Sequence, residues 1–262
     1  MGWWARWRAW RERRKRARHE IPRPLWHQVL AHYPFLAALP PPEQQALRDL
    51  SASFLARKEF AGAHGLQVSD EMAVAIAAQA CLPILKLDLS LYDRFVGIVV
   101  QPDEVVARRH VMDPDGVVHE YDEPLSGEAM SGGPVMLSWP DVAEAGVLAI
   151  DGYNVVIHEF AHVIDMCNGE ADGIPPLPNA KVLAHWISVM DTALDEFRQQ
   201  LAAGHPTLLD PYGAEGPQEF FAVSVEAFFV NPQPFRAHHP TLYELLAGYF
   251  RQDPAHRTRL AP

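Results

Sequence analysis

The sequence contains only two cysteines, Cys81 and Cys167, among its 262 residues. Two cysteines cannot provide the disulfide framework on which small secreted domains depend. They also argue against a structural zinc site, because such sites are closed by four protein ligands and are rich in cysteine. We therefore expect a protein that works in a reducing compartment, the cytoplasm, without disulfide support.

Long apolar segments are also absent. No run of about 18 apolar residues occurs, and the N-terminal residues lack the apolar stretch of a secretory signal peptide. The sequence thus predicts neither a transmembrane helix nor secretion. Hydrophobic residues still make up 48% of the chain, which is enough for a sizeable buried core.

Acidic residues outnumber basic ones, and the net charge of −11 is unevenly distributed. The first 20 residues hold eight arginines or lysines, two glutamates and four tryptophans, so they carry +6 and leave −17 for the rest of the chain. Such a segment suits weak contact with an anionic membrane surface, whereas the acidic remainder would be repelled by the phosphates of nucleic acid. We expect residues 1–24 to form a poorly ordered basic tail, and we predict no direct binding of nucleic acid.

Sequence patterns divide the rest of the chain into two regions. Helical signals dominate residues 25–94, including a helix that is capped by Ser69 and ends before Pro83. Strand patterns follow at residues 95–100, 105–112, 117–121 and 134–137. A hairpin turn is predicted at Asp113-Pro114-Asp115-Gly116. We therefore predict an α+β fold in which a helical N-terminal layer precedes residues 95–262, a region with a small mixed or antiparallel sheet.

The most informative motif is His158-Glu159-Phe160-Ala161-His162, two histidines four residues apart with a glutamate after the first. On an α-helix both imidazoles lie on one face, one turn apart, where both reach a single metal ion. Glu159 can then lie beside a water molecule on the metal and act as its general base. The motif predicts a zinc hydrolase.

The flanking residues predict that this motif lies on a buried helix. Asn154 is the expected N-cap, and the helix should end near Asn168-Gly169. The intervening side chains outside the motif are almost entirely apolar, so the helix should be buried on all sides. Buried histidines need partners for both ring nitrogens, and a metal ion with supporting acceptors provides them.

A catalytic zinc ion normally has three protein ligands and one open position, so a third donor is required. Asp165 lies three residues after His162, but its short side chain is better suited to supporting a ligand than to binding the metal itself. A second apolar helix at residues 217–229 carries Glu219 and Glu226, seven residues apart on one face. The spacing alone leaves either glutamate as the third ligand.

Other polar residues lie near the motifs. Tyr212 lies in a turn just before the second helix, where its phenol can stabilise an oxyanion. Cys167 follows the first motif by five residues and points away from the histidine face, so it is discounted as a ligand. Asp172 and His185 have no supporting sequence context.

The chain resembles the Mlc titration factor A family of bacterial zinc metallopeptidases, whose catalytic part is similar to the protease domain of anthrax lethal factor. The resemblance covers about residues 25–257. It rests on the segments IAAQACLP (76–83), HEFAHVID (158–165), NG (168–169), ADGIP (171–175), DPY (210–212), EFFAV (219–223) and YFRQDP (249–254).

The resemblance implies a zincin-like metallopeptidase fold with the histidine motif on the active-site helix. By motif position it makes His158, His162 and Glu219 the ligands of one zinc ion. It likewise makes Glu159 the general base and Tyr212 a hydrogen-bond donor to the transition state. A zinc-activated water would attack the peptide carbonyl, and the base would pass its proton to the leaving amine.

The resemblance gives Glu226 a supporting role, in which it orients a ligand histidine, and the residue pattern gives a similar role to Asp165. Two classes of function follow. The first is an aminopeptidase-like enzyme that cleaves short peptides. The second is a regulatory binding protein with a latent or vestigial zinc site, because relatives are named for sequestering the glucose-responsive repressor Mlc. The base beside the first histidine favours chemistry, since a pure binding protein has no physical need of it.

Two segments before the motif helix are candidates for substrate contact. Residues 133–137 predict a strand that either pairs with an extended peptide or simply belongs to the core. The glycine-containing loop at residues 126–133 is flexible enough to serve as a lid.

Overall fold

The computed structural model describes residues 20–103, 105–112, 118–125 and 127–257. Most of the predicted basic tail, up to residue 19, therefore lies outside the described residues, as does the predicted hairpin turn at residues 113–116. The described residues contain helices, one four-stranded sheet and a separate pair of strands. The predicted α+β class is confirmed.

Prolines begin many of the helices. Pro34, Pro41, Pro217, Pro232 and Pro240 are each the first residue of a helix, where the missing backbone N–H costs little and the fixed φ angle is already helical. This placement explains how a chain with 23 prolines remains rich in helix. The helices are α1 (Arg23–His32), α2 (Pro34–Ala37), α3 (Pro41–Leu55), α4 (Asp70–Cys81), α5 (Trp139–Leu148), α6 (Val155–Asp165), α7 (Ala180–Ala202), α8 (Pro217–Val230), α9 (Pro232–His238) and α10 (Pro240–Phe250).

The main sheet is mixed. The strands are β1 (Glu59–Gly62), β2 (Gly97–Gln101), β3 (Val105–Met112), β4 (Val118–Leu125), β5 (Gly127–Ala129) and β6 (Val135–Ser138). In the main sheet the order is β1-β2-β6-β5, with β1, β2 and β6 parallel and β5 antiparallel to β6. Strands β3 and β4 pair separately as an antiparallel hairpin.

The positions of β5 and β6 bear on the two segments that the sequence offered for substrate contact, residues 133–137 and 126–133. Strand β6 is hydrogen-bonded to β2 on one side and to β5 on the other, so it is a core strand with no edge free for a peptide. Residues 127–129 form β5, so the predicted loop is wrong for these three residues. The sequence Gly-Glu-Ala has no β-branched or aromatic residue to indicate a strand, and pairing with β6 supplies the order instead.

Helix α6 lies in the core, as its apolar sequence predicts. The ring of Phe160 packs against the rings of Phe54, Tyr92 and Phe95, with centroid distances of 5.7, 4.9 and 5.8 Å. These contacts join α6 to the end of α3 and to the segment that leads into β2. The aromatic cluster therefore fixes α6 against the N-terminal helical layer.

Helix α6 ends at Asp165, earlier than the predicted end near Asn168-Gly169. The backbone N–H of Cys167 donates to the carbonyl of Ile164, only three residues back, so the last turn tightens and the chain leaves the helix. The carboxylate of Asp165 then accepts a hydrogen bond from the N–H of Gly173 at 2.8 Å. The helix end is thus tied to the loop that follows it.

Buried apolar side chains from Ile21 to Val100 and from Val135 to Phe250 pack into one hydrophobic cluster. The boundary at residue 95 between a helical layer and a catalytic region stays a prediction. No single helix among the described residues is long and apolar enough to cross a membrane. One pair of helical segments, Trp139–Asp151 and Val155–Asp165, passes that test by length and composition, and it is bent by 91°.

We predict that Gly146 is essential to the packing of α5 against the end of α1. A Cβ atom at Gly146 would lie 2.1 Å from the carbonyl oxygen of His32, a backbone atom that cannot move without shifting α1. Gly146→Ala should therefore lower the free energy of unfolding by about 1–3 kcal/mol. The matched control is Gly248→Ala in α10, where a Cβ meets nothing within 4 Å and should raise stability by up to about 1 kcal/mol. Chemical denaturation measures both, and equal effects would contradict the prediction.

Candidate metal centre

The two motif histidines lie one turn apart on α6 and face each other. Their ring centroids are 4.8 Å apart with an interplanar angle of 77°, and their Nε2 atoms are separated by 3.2 Å. Asn154 caps the helix as predicted, since its side chain accepts a hydrogen bond from the N–H of Ile157. The helical period therefore brings His158 and His162 together as expected.

Helix α8 brings a third donor to the same point. The Oε2 atom of Glu219 lies 3.2 Å from the Nε2 atom of His158 and 3.2 Å from that of His162. The three side chains are only 12–14% exposed. Among the described residues, these three form a group whose donor atoms are close enough to hold a metal ion together.

The spacing of the three donor atoms fits a tetrahedral metal. Ligands about 2.0–2.1 Å from a zinc ion at tetrahedral angles lie about 3.3–3.4 Å from one another. The three separations observed here are all 3.2 Å. Two imidazole nitrogens and a carboxylate oxygen that converge in this way all present lone pairs, so a shared cation satisfies them together.

The second glutamate of α8, Glu226, contacts His158 on the side of the ring opposite the donor atom. Its side chain is buried, and its Oε1 atom lies 2.7 Å from the Nδ1 atom of His158. Its Oε2 atom accepts a hydrogen bond from the backbone N–H of Asn154 at 2.5 Å. A carboxylate on Nδ1 fixes the ring so that Nε2 faces the other donors. The two glutamates that sequence spacing left equivalent therefore occupy different positions.

Burial and charge act in opposite directions on the pKa values of the site. Burial raises the pKa of Glu219, but hydrogen bonds from His158 and His162 outweigh it and lower this pKa to about 2. Burial lowers the pKa of His158, but the carboxylates of Glu226 and Glu219 outweigh it and raise this pKa well above its usual value. Glu219 is therefore held as an anion, and the two carboxylates around His158 favour a positive charge at this point, which a bound metal ion would supply in place of a proton.

Glu159 follows His158 on α6, and its buried carboxyl group is within electrostatic range of His158, His162 and Glu219. Only 5% of the residue is exposed, and burial raises the pKa of its carboxyl group although the two histidines lower it. A carboxyl group whose pKa is raised in this way can both accept a proton and return it. The residue thus has the environment of a general base.

Tyr212 lies beside the donor triangle. It belongs to a short 3₁₀ helix, Pro211–Ala214, and its ring centroid is 6.1 Å from that of His158. The side chain of Asp210 accepts a hydrogen bond from the N–H of Tyr212 at 2.9 Å, which fixes the start of this turn. The sequence-predicted tyrosine is therefore near the site.

Asp165 contacts the loop after α6 and not the ligand histidine that it was expected to support. One of its oxygens accepts the hydrogen bond from the N–H of Gly173. No hydrogen bond joins the side chains of Asp165 and His162. The other oxygen, Oδ1, and the Nδ1 atom of His162 are both buried without a hydrogen-bond partner. These two groups are three residues apart on α6, on the side of the histidine that faces away from the donor triangle.

The remaining sequence candidates lie elsewhere. The thiol of Cys167 donates to the carbonyl of Leu91 at 3.0 Å, and Asp172 accepts from the N–H of Ile174. His185 lines a separate cavity beside α7 and α10. None of the three contributes to the donor triangle.

Comparison with known proteins assigns this arrangement to a family. A family model described as glucose-regulated metallo-peptidase M90 matches residues 7–251. The chain belongs to this family. Membership in the M90 family implies a metallopeptidase and a bound metal ion, and the three convergent donors are a candidate site for that ion.

Similar proteins cover most of the chain. Protein slr2042 of Synechocystis sp. is 37% identical over 251 residues, which are 95% of this chain and 90% of the relative. Mlc titration factor A of Klebsiella pneumoniae is 34% identical over 237 residues, which are 89% of this chain and 88% of the relative. Mlc titration factor A of Yersinia pestis is 32% identical over 237 residues, 89% of this chain and 86% of the relative. The resemblance that the motifs indicate is confirmed.

Sequence reasoning missed two residues, Gln79 and Gly173, that position the candidate site. The side-chain amide of Asn154 donates to Gln79 at 2.8 Å, which anchors the start of α6 to α4. The only signal was one polar residue, Gln79, in the otherwise apolar stretch from Met72 to Cys81. Gly173 has a φ of 79°, and a Cβ there would lie 2.6 Å from the carbonyl of Pro217 at the start of α8. Its signal was the Asp-Gly pair typical of a tight turn.

We predict that Glu226→Gln weakens zinc binding by about 10- to 100-fold, because an amide cannot accept hydrogen bonds from both His158 and Asn154. One donor would then face the NH₂ group. Competition with a chromophoric chelator measures the affinity. The matched control is Ser224→Ala on the same helix, which removes a buried hydroxyl without a hydrogen-bond partner and should leave zinc binding unchanged. Equal affinities for the glutamine variant and the wild type would refute the supporting role.

Proposed function

We propose that this chain is a zinc-dependent peptidase with a zincin-like catalytic region that cleaves short peptides, in the manner of an aminopeptidase. One observation carries the proposal. The three donor atoms of His158, His162 and Glu219 lie 3.2 Å from one another, and the buried Glu159 lies on the helix of the two histidines, within electrostatic range of all three. A tetrahedral zinc site with a general base needs these parts.

The three donors would hold the metal and leave one position open. Bound zinc would lower the pKa of a water molecule and polarise the scissile carbonyl group. Glu159 would take the proton from the attacking water, for which its buried carboxylate with a raised pKa is suited. The same carboxyl group would then protonate the leaving amine.

Tyr212 would stabilise the negative charge that develops on the carbonyl oxygen. Its ring lies near His158, and its backbone is held by the side chain of Asp210. A phenol that donates a hydrogen bond to this oxygen lowers the barrier only when charge has developed, which raises kcat rather than substrate affinity.

Two carboxylates would orient the ligand histidines. Glu226 accepts from the Nδ1 side of His158, which directs Nε2 towards the metal position. We assign the matching role for His162 to Asp165, since both groups are buried and retain an unpartnered atom on the same side of α6. A hydrogen bond between them would satisfy both atoms.

The position of β5 at the edge of the main sheet is an argument for a peptide substrate. Strand β5 pairs with β6 on one side, and on its other side no strand of the described residues pairs with it. It also packs against α6, the helix that carries the histidines. An extended peptide that adds to this edge by backbone hydrogen bonds would pass beside the metal position.

A second function is favoured by the names of the relatives. Proteins called Mlc titration factor A are 32–34% identical to this chain over 86–88% of their own length. We propose that this chain also binds a transcriptional repressor of the Mlc type in the cytoplasm and so regulates sugar-uptake genes. Such binding does not require turnover, so it is also the function that would remain if the zinc site were latent.

We predict that Glu159→Gln retains one zinc ion per chain and loses hydrolysis, because the amide cannot accept a proton. The measurement is zinc content together with hydrolysis of a panel of aminoacyl and short-peptide chromogenic substrates. As a control, His162→Ala should lose both zinc and activity. If the wild type holds zinc and cleaves none of the substrates, the peptidase proposal fails and the binding function remains.

We predict that Tyr212→Phe lowers kcat by about 10²- to 10³-fold while KM and zinc content change little, because only the phenolic donor is removed. Steady-state kinetics on the best substrate of the panel tests this. The control is Tyr249→Phe, a tyrosine that lines the separate cavity beside α7 and α10, and this variant should keep full activity. A Tyr212 variant with normal kcat would exclude a role in the transition state.

A further inference from the structure

Gly127, the first residue of β5, directly faces the side chain of Glu159. A Cβ atom at Gly127 would lie 2.6 Å from both the Cγ and Oε1 atoms of Glu159 and 2.8 Å from its Cδ atom. Cβ atoms essentially never approach other atoms so closely. The carboxylate of Glu159 thus occupies the space that any other residue at this position would fill.

The backbone does not require glycine here. Gly127 is absent from the described glycines with positive φ, and it pairs with Leu137 as an ordinary member of the ladder. Glycine in a strand normally weakens it, because glycine has more conformational freedom to lose and no side chain to pack. The distinctive property of Gly127 at this position is therefore the missing side chain.

We propose that Gly127 is a positioning residue for the proposed peptidase reaction, in which its lack of a side chain lets β5 form one wall against the carboxylate of Glu159. The inference rests on the proposed function, because it assumes that Glu159 is the base. Glu159 is only 5% exposed, and the backbone of β5 limits how far its carboxylate can shift towards the strand. The base is confined between the strand and its own helix.

This arrangement predicts an unusual effect of substitution. The atoms that a new Cβ would strike are the far end of a flexible side chain, so Glu159 yields more easily than the fold does. Strand β5 keeps its hydrogen bonds to β6, since alanine adopts the same backbone conformation. Gly127→Ala should therefore displace the base while leaving stability and zinc binding nearly intact.

The matched control is Gly97→Ala. Gly97 begins β2 in the same sheet, is also absent from the positive-φ glycines, and pairs regularly with Glu59. A Cβ at this position would meet the Cβ atom of Pro134 at 3.4 Å, which is an ordinary contact. Gly97→Ala adds the same methyl group to a strand of the same sheet without touching the site, so it should leave kcat unchanged.

The experiment compares the wild type, Gly127→Ala and Gly97→Ala by zinc content, thermal midpoint, steady-state kinetics and crystal structure. For Gly127→Ala we expect a displaced Glu159 carboxylate and a kcat lowered by about 10- to 100-fold, with KM, zinc content and thermal midpoint close to wild type. A Gly127 variant with unchanged kcat, or one whose carboxylate stays in place while β5 moves, would overturn the inference.

The two proposals can fail separately. If the wild type cleaves nothing, the proposed function fails, and the crystal structures alone decide whether residue 127 sets the position of the carboxylate. If Gly127→Ala does not fold, the double variant Gly127→Ala/Glu159→Ala removes the atoms that collide. Recovery of folding in the double variant supports the inference, and failure to recover shows that Gly127 serves the fold and not the base.

Discussion

The rest of the site depends on the two hydrogen bonds made by the buried carboxylate of Glu226. One oxygen lies 2.7 Å from Nδ1 of His158, and the other accepts from the backbone N–H of Asn154 at 2.5 Å. Asn154 in turn caps α6 and donates to Gln79 of α4. A buried carboxylate is costly unless its oxygens are satisfied, so this network fixes α8, α6 and α4 relative to one another. The geometry of the donor triangle follows from that constraint.

The loop after α6 completes the arrangement. Gly173 donates to Asp165, and its carbonyl accepts a hydrogen bond from the indole of Trp186 at 2.9 Å. The same glycine lies against the backbone at the start of α8, the helix turn that carries Glu219. The third donor is thus placed by backbone contacts that begin at the end of the histidine helix. This design holds the site on helices, which are more rigid than loops.

The sequence predicts those parts of the candidate site that lie within one helix. It does not predict the parts that depend on how separate helices and strands pack together. The spacing of His158 and His162 on one helix face follows from the helical period, and the structure places them accordingly. The choice between Glu219 and Glu226 depends on how α8 docks on α6, which no local pattern contains; the family resemblance supplied it. Strand β5 was missed because its order comes from pairing with β6 rather than from strand-forming residues, and the contact between Gly127 and Glu159 depends on that pairing.

The central claim is that His158, His162 and Glu219 together bind one zinc ion. Anomalous diffraction at the zinc absorption edge, from crystals of the protein purified without added metal, tests it most directly. The account predicts one anomalous peak per chain, in contact with the two Nε2 atoms and a carboxylate oxygen of Glu219, with no sulfur ligand. A peak at another site, a ligand set that includes Cys167, or Glu226 in place of Glu219 would contradict the account.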